Sequence, residues 1–251
     1  MWPRQLLCSL RSYYCGCHDR DLQEFYDLES RLPYFDHVSR ILGAHKRRIL
    51  LRWISEVPGQ GPILEVGSGI GTFARQLGRS GYRVIAVDIS AAKTLKAQRL
   101  TAKRCGGRTA LVHHCTGDLR TLGTGMALDT HLQTGCPWPV PRQFHVLLAA
   151  DVLEHVPAAP LQTLRHMRSL LTPHGRFFVS VPARLWVNDP GHFWPLLPYE
   201  WEEVFVVSGF CIYRRQMSRL CWYGLPIPLP LAMVYELHPI GHHAVPGPKY
   251  Y

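Results

Sequence analysis

The segment Ile63-Leu-Glu-Val-Gly-Ser-Gly-Ile-Gly-Thr-Phe-Ala74 sets three glycines on alternate positions behind a short apolar run. Gly67, Gly69 and Gly71, with Ser68 between the first two, read as the turn between a buried strand and a helix, where backbone amides can approach a ligand closely. The spacing is G-x-G-x-G rather than the G-x-G-x-x-G of a dinucleotide fingerprint. Glu65, two residues before the first glycine, would repel a pyrophosphate and suits a ligand that carries an ammonium group. Asp88 ends the run Val84-Ile-Ala-Val-Asp, where a carboxylate can accept both hydroxyls of a ribose, or else cap the helix that begins near Ser90. Asp118 stands in Thr116-Gly-Asp-Leu119, and Asp151 follows the apolar run Phe144 to Ala150 and leads into Val-Leu-Glu-His-Val156. An imidazole with an ordinary pKa of about 6.5 suits removal of a proton from an acceptor, which makes His155 the candidate catalytic base. Its other use is to pack or cap a turn.

These residues need elements to hold them. Ile63 to Val66, Val84 to Val87, Ala110 to His113, Phe144 to Ala150 and Arg176 to Val181 read as strands. Gly71 to Arg79, Ala91 to Arg104 and Ala159 to Leu171 read as the helices between them. Such alternation predicts right-handed βαβ crossovers and a doubly wound α/β domain built on a mostly parallel sheet. Ligands of such sheets bind at the carboxyl ends of the strands, so the acids at four strand ends are expected to converge on one crevice. Before the sheet, Asp19 to Leu32 and Asp36 to Val57 have helical periodicity and are separated at Pro33. The chain therefore divides into an N-terminal helical cap, 1–57, a core, 58–217, with a Gly/Pro-rich insertion at about 119–143, and a C-terminal segment, 218–251. The last is rich in proline, so Gly224 to Leu231 cannot be helical and is expected to pack on the core.

Composition narrows the function. A chain of 251 residues with 47% hydrophobic content has enough apolar side chains for a continuous core. No apolar stretch approaches the roughly 18 residues of a membrane-spanning helix. Lys and Arg number 28 against 18 Asp and Glu, a formal charge of +10, but the basic residues are scattered and no aromatic side chains interleave with a basic stripe. A nucleic-acid partner is therefore not expected. The eight cysteines read as reduced thiols in a cytoplasmic protein. Cys15-Gly-Cys17-His18 has only Cys8 nearby and no second pair at zinc-finger spacing, so no metal site is expected.

With its glycine turn and the acids at the strand ends, the stretch from roughly Ile49 to Arg214 resembles the class I S-adenosylmethionine-dependent methyltransferases. The resemblance implies a seven-stranded Rossmann-like fold and S-adenosylmethionine as cofactor. It implies that Glu65 and Gly67 to Gly71, Ser68 included, hold the methionyl part, Asp88 and Ile89 the ribose, Asp118 and Leu119 the adenine, and that Asp151 lies near the sulfonium. Leu170-Leu-Thr-Pro-His-Gly-Arg-Phe-Phe-Val-Ser-Val-Pro182 is similar to the family's fifth-strand motif. His192 followed by Tyr199 to Phe210 is similar to a segment of the branch that contains ubiquinone-biosynthetic and other small-molecule enzymes. His192, Trp194 and Tyr199 are accordingly expected on the acceptor side. Two departures from that branch are His145, where an aspartate is usual, and the insertion after Asp118.

The expected activity is methyl transfer to a small, lipophilic or aromatic acceptor, with oxygen as the methylated atom. The motif Asp151-Val-Leu-Glu-His differs from the Asn/Asp-Pro-Pro-Tyr/Phe type that grips a planar nitrogen. Methylation of RNA or protein rests on the charge alone. A non-catalytic, cofactor-binding subunit would be marked by a broken glycine motif, and here the motif is intact.

Overall fold

A computed structural model describes residues 22–29, 43–59, 61–122, 132, 134–183, 187, 192–222 and 225–240. The Cys8, Cys15 and Cys17 cluster, the start of the helix expected from Asp36, the middle of the Gly/Pro-rich insertion and the C-terminal 241–251 lie outside the described residues. The N-terminal part forms α1 (Leu22–Glu29) and α2 (Ala44–Ser55). The core follows as β1 (Ile63–Val66), α3 (Thr72–Arg79), β2 (Val84–Asp88), α4 (Ala91–Cys105), β3 (Val112–Thr116), β4 (Phe144–Ala150), α5 (Pro160–Ser169), β5 (Leu171–Pro182), α6 (Pro198–Val207), β6 (Phe210–Trp222) and β7 (Leu225–Pro239).

The seven strands form one sheet in the order β3-β2-β1-β4-β5-β7-β6. β1 to β5 are parallel, and β7 runs antiparallel to both of its neighbours. β1 is buried along its whole length because both faces are covered, as parallel sheets require. Ile63, Val84, Val146 and Phe178 pack with Leu50, Trp53 and Leu77 on the α2/α3 side. Leu64, Ile85, Leu147 and Phe177, the alternate residues, pack with Leu164, Trp201 and Phe205 on the α5/α6 side.

Several boundaries differ from the sequence reading: the helix expected over Ala159 to Leu171 ends at Ser169, and the fifth strand begins at Leu171 rather than Arg176. The third strand begins at Val112 rather than Ala110, because Gly106, at φ +52°, ends α4 in a conformation that only glycine takes cheaply and a 3-10 turn runs to Leu111. Residues Leu225–Pro239 supply a strand between β5 and β6. Pro226 and Pro230 pair with β6, whereas the β5 ladder begins at Ala232. The prolines thus sit where the side toward β5 makes no ladder, and a missing amide proton is tolerated there. No helix among the described residues is long and apolar enough to cross a membrane.

Candidate active site

The chain turns to opposite sides of β1 when it adds β2 and β4, and the carboxyl ends of these strands open on a cavity of about 390 Å³, within the usual size of small-molecule sites. Glu65, Gly67, Ser68, Gly69, Asp88, Ile89, Asp118, Leu119, Asp151 and His155 all line it. Gly71 lies just behind them as the N-cap of α3.

The glycine turn is built for close approach. Gly67, Gly69 and Gly71 have φ of +62°, +53° and +69°. A Cβ at Gly67 would stand 2.3 Å from Val152 Cγ2 and one at Gly71 2.4 Å from His114 Cε1, while one at Gly69 would meet no protein atom within 4 Å. The backbone at Gly69 therefore faces free space. The Gly69 amide donates to Asp88 Oδ2 (2.6 Å) and the Ser90 amide to Oδ1 (2.9 Å). The helix after β2 is capped by Ser90, whose Oγ accepts from the Lys93 amide at 3.1 Å. Asp88 instead ties the glycine turn to the end of β2.

Glu65 is 3% exposed, and nothing among the described residues donates a hydrogen bond to its Oε2. Burial pushes its carboxyl up to about 8, with Asp88 adding to the rise and the Ala74 amide and Arg75 opposing it. An orphaned, buried carboxyl oxygen beside a glycine turn fits a ligand that brings an ammonium group. Asp118 is held by Arg120, whose Nη2 stands 2.7 Å from Oδ2 and whose amide donates to Oδ1 at 2.8 Å. Its backbone still lines the cavity beside the buried Leu119.

Asp151 is the one non-glycine residue with positive φ, +55°, among the described residues. It is held there by Ser180, whose hydroxyl accepts from the Asp151 amide (3.1 Å) and donates to Oδ1 (2.7 Å). Its Oδ2 is paired with Lys46. Burial lowers the Lys46 ammonium to about 8, with Glu154 opposing and Arg47 assisting. Lys46 is a residue of the site that the periodicity of α2 points to. Its position three, four and seven residues before Ile49, Leu50 and Trp53 places it on the stripe that is buried.

His155 lies in the short turn Leu153–His155, and the His192 ring meets its ring edge-on at 4.7 Å between centroids. Tyr26 of α1 approaches the same ring at 6.3 Å. The residues taken for the acceptor side are placed differently from one another. His192 meets the site through the His155 ring and does not itself line the cavity, whereas Trp194 packs against the core and donates from Nε1 to the carbonyls of Val156 (2.7 Å) and Ala158 (3.1 Å). Tyr199 opens α6, is 60% exposed and does not line the cavity. His145 lies at the far end of β4, its Nε2–H donating to the Pro58 carbonyl at 3.2 Å. The expectation of no metal rested on cysteine spacing, which says nothing about Glu154, His155 and His192. Ligand atoms of these three residues lie within 4.8 Å of one another.

Solved structures share this fold at low sequence identity. Magnesium protoporphyrin IX methyltransferase (ChlM) from Synechocystis PCC 6803 with bound SAM superposes with a TM-score of 0.58 at 17% identity, over 88% of this chain and 97% of that one. The CcbJ methyltransferase from Streptomyces caelestis gives 0.57 at 17% identity, over 77% and 94%. A putative methyltransferase from Haloferax volcanii, seen in complex with the Trm112 methyltransferase activator, gives 0.59 at 14%, over 84% and 96%. No curated protein matches the sequence significantly. The sequence profile of the family described as "Methyltransferase domain" matches residues 26–223, a span that runs from Tyr26 at the mouth of the cavity through every residue of the site, and the chain belongs to that family.

Proposed function

We propose that the protein transfers a methyl group from S-adenosylmethionine to a hydroxyl of a small, lipophilic or aromatic acceptor. The observation that carries this reading is the continuity of one cavity from Glu65 and Asp88 at one end to Asp151 and His155 at the other. The bound ChlM structure, which holds SAM on the same fold, supports the choice of cofactor. When bound, S-adenosylmethionine supplies an electrophilic methyl group on a good leaving group. Glu65 and the glycine turn would hold its amino acid end, Asp88 and Ile89 the ribose, and Asp118 and Leu119 the edge of the base. Asp151, locked by Ser180 and Lys46, presents a fixed floor. Val152, Val156 and Pro157 make an apolar wall beside His155, which excludes water from the acceptor and brings it to bear in line. Cys105, Cys115, Cys136 and Cys211 are free thiols, which suits action in the reducing cytoplasm.

Two outcomes test this reading. Because burial raises the Glu65 carboxyl to about 8, it is mostly protonated at pH 7 before a ligand binds. An ammonium group beside it favours the ionised form, so binding of S-adenosylhomocysteine is expected to release close to one proton at pH 7 and progressively less above about pH 8. Titration calorimetry in buffers of different ionisation enthalpy measures this directly, and Glu65→Gln removes the release. The second outcome concerns the acceptor. His155→Ala is expected to lower kcat about 100-fold or more, the scale of losing a group that acts on the acceptor's proton, with S-adenosylhomocysteine affinity nearly unchanged. Turnover equal to that of the parent protein would leave proximity as the whole mechanism.

A further inference from the structure

The geometry points to Lys46 as a catalytic residue of the methyl transfer, its ammonium donating a hydrogen bond to the acceptor oxygen as the hydroxyl proton leaves. This rests on the methyl-transfer reading and adds to the base, His155, the group that steadies the charge the base creates. Lys46 lines the cavity, and its side chain is only 9% exposed. An ammonium has three N–H donors. Among the described residues one acceptor takes from it, Asp151 Oδ2, which leaves the other donors of a nearly buried cation to the cavity it lines. Burying a charge with donors unmet is costly, and a ligand oxygen placed there satisfies them.

What fixes the ammonium also places it at the acceptor end. α2 carries Lys46 on its buried stripe, one turn before Ile49 and Leu50. Asp151, which accepts from it, follows β4 and is locked at φ +55° by the Ser180 hydroxyl of β5. A strained backbone that its surroundings hold in place is a common device for fixing the geometry of a site. From Asp151 the chain passes through Val152 into the turn Leu153–His155, where the His155 amide donates to the Val152 carbonyl at 3.0 Å. The charge of Glu154 in that turn reaches Lys46 and opposes the effect of burial on it. The ammonium therefore stands against the segment 151–155 that carries the base, at the end of the cavity that Asp151 and His155 share.

An ammonium repels a sulfonium, and the Asp151 carboxylate that neutralises Lys46 allows both positive groups to share one cavity. The acceptor hydroxyl gives its proton to the His155 imidazole, which later passes it to solvent. The oxygen, now negative, is held by a Lys46 N–H and forms the bond to the methyl carbon, and the electron pair of the broken carbon–sulfur bond stays on sulfur. Lys46 keeps its proton throughout. Burial lowers its pKa to about 8, so it is charged at pH 7. A donor fixed in advance where an oxyanion develops, in a cavity that excludes water, is worth about 100- to 1000-fold in rate.

The test uses 4-nitrophenol, whose phenolate absorbs visible light, bound to the full chain saturated with S-adenosylhomocysteine. On the parent protein the pKa of the phenol is expected to fall by about one unit or more below its free value, a tenfold shift in ionisation. Lys46→Met is expected to remove that shift while S-adenosylhomocysteine affinity stays nearly unchanged, and Lys46→Arg, which keeps the charge, to restore part of it. The Asp151 side chain is 41% exposed, so loss of its partner does not strand a buried charge. If Lys46→Met still fails to fold, Lys46→Met/Asp151→Asn removes both charges and is read in the same way. An unshifted pKa on the parent protein, an equal shift on the variants without the ammonium, or no binding of the phenol overturns the assignment. A loss of S-adenosylhomocysteine affinity in Lys46→Met also overturns it, because the ammonium then serves the cofactor. Any of these results on a parent protein that binds S-adenosylhomocysteine leaves the methyl-transfer reading standing, whereas a parent protein that does not bind it removes both.

Discussion

Gly69→Ala is expected to weaken S-adenosylhomocysteine binding by about 100-fold while costing only about 1–2 kcal/mol of stability, the ordinary cost of a side chain in the left-handed region. The reason lies in what surrounds each glycine. At Gly69 a Cβ meets no protein atom within 4 Å and the residue lines the cavity, so what the methyl group would displace is ligand. Gly67→Val is different in kind. Its Cβ would overlap Val152 Cγ2 at 2.3 Å, which forces apart the glycine turn and the segment after β4, and both binding and stability should fall. Trimming the obstacle with Val152→Ala in the Gly67→Ala background should restore part of the stability without restoring affinity. Calorimetric titration and thermal unfolding of the same samples separate the two effects. Full affinity in both glycine variants would mean that the turn does not touch the cofactor.

The largest effect on stability is expected at Glu236. Its side chain is fully buried on β7 and accepts from Arg176 Nη1 on β5 (2.8 Å), Arg214 Nε on β6 (2.6 Å) and His238 Nε2 (2.8 Å). One carboxylate thus pins three strands, and Arg214 continues outward to Glu56 (2.6 Å) and lies 4.5 Å over the Trp53 ring of α2. Removing one partner of a buried ion pair costs about 3–5 kcal/mol, and the partly exposed arginines place Glu236→Ala at the low end, about 3 kcal/mol. Burial pushes this carboxyl up, but the bond from His238 and the charges of Arg214 and Arg176 outweigh it and hold the group below the usual range. A group whose folded pKa is depressed contributes fully above its unfolded value, about 4.5, and loses that contribution as the pH falls through the folded value. The parent protein should therefore lose stability below about pH 4.5, while the Glu236→Ala difference shrinks toward zero there. Urea unfolding at pH 7 and at a series of acidic values measures both. A difference independent of pH would assign the loss to packing alone.

The local parts of this protein were legible in its sequence because each rests on a short-range pattern. Ile63 to Val66 and Phe144 to Ala150 are continuous apolar runs of strand length, and both form strands with those bounds. The glycine turn needs backbone that only glycine provides, and all three glycines have positive φ. Acids that follow strands in a parallel sheet must gather at one edge, so Glu65, Asp88, Asp118 and Asp151 reach one cavity whatever the details of packing.

Contacts between distant segments were decided by the tertiary structure, since no periodicity records them. β7 enters the sheet between β5 and β6 although its prolines read as a segment outside the core, because the unpaired edge of β5 and the carboxylate of Glu236 make that slot the favourable one. Lys46 lies on the buried stripe of α2, but that it meets Asp151, a residue 105 positions away, no local pattern records. His155 and His192 meet only because the loop before α6 is bonded to the turn after β4, and Tyr199, a few residues further on, is carried away from the cavity by the helix that begins there. Sequence patterns specify which side chains each element presents and on which face. Which of them meet depends on how the closed chain fills space, and that is settled only when the sheet and its helices pack.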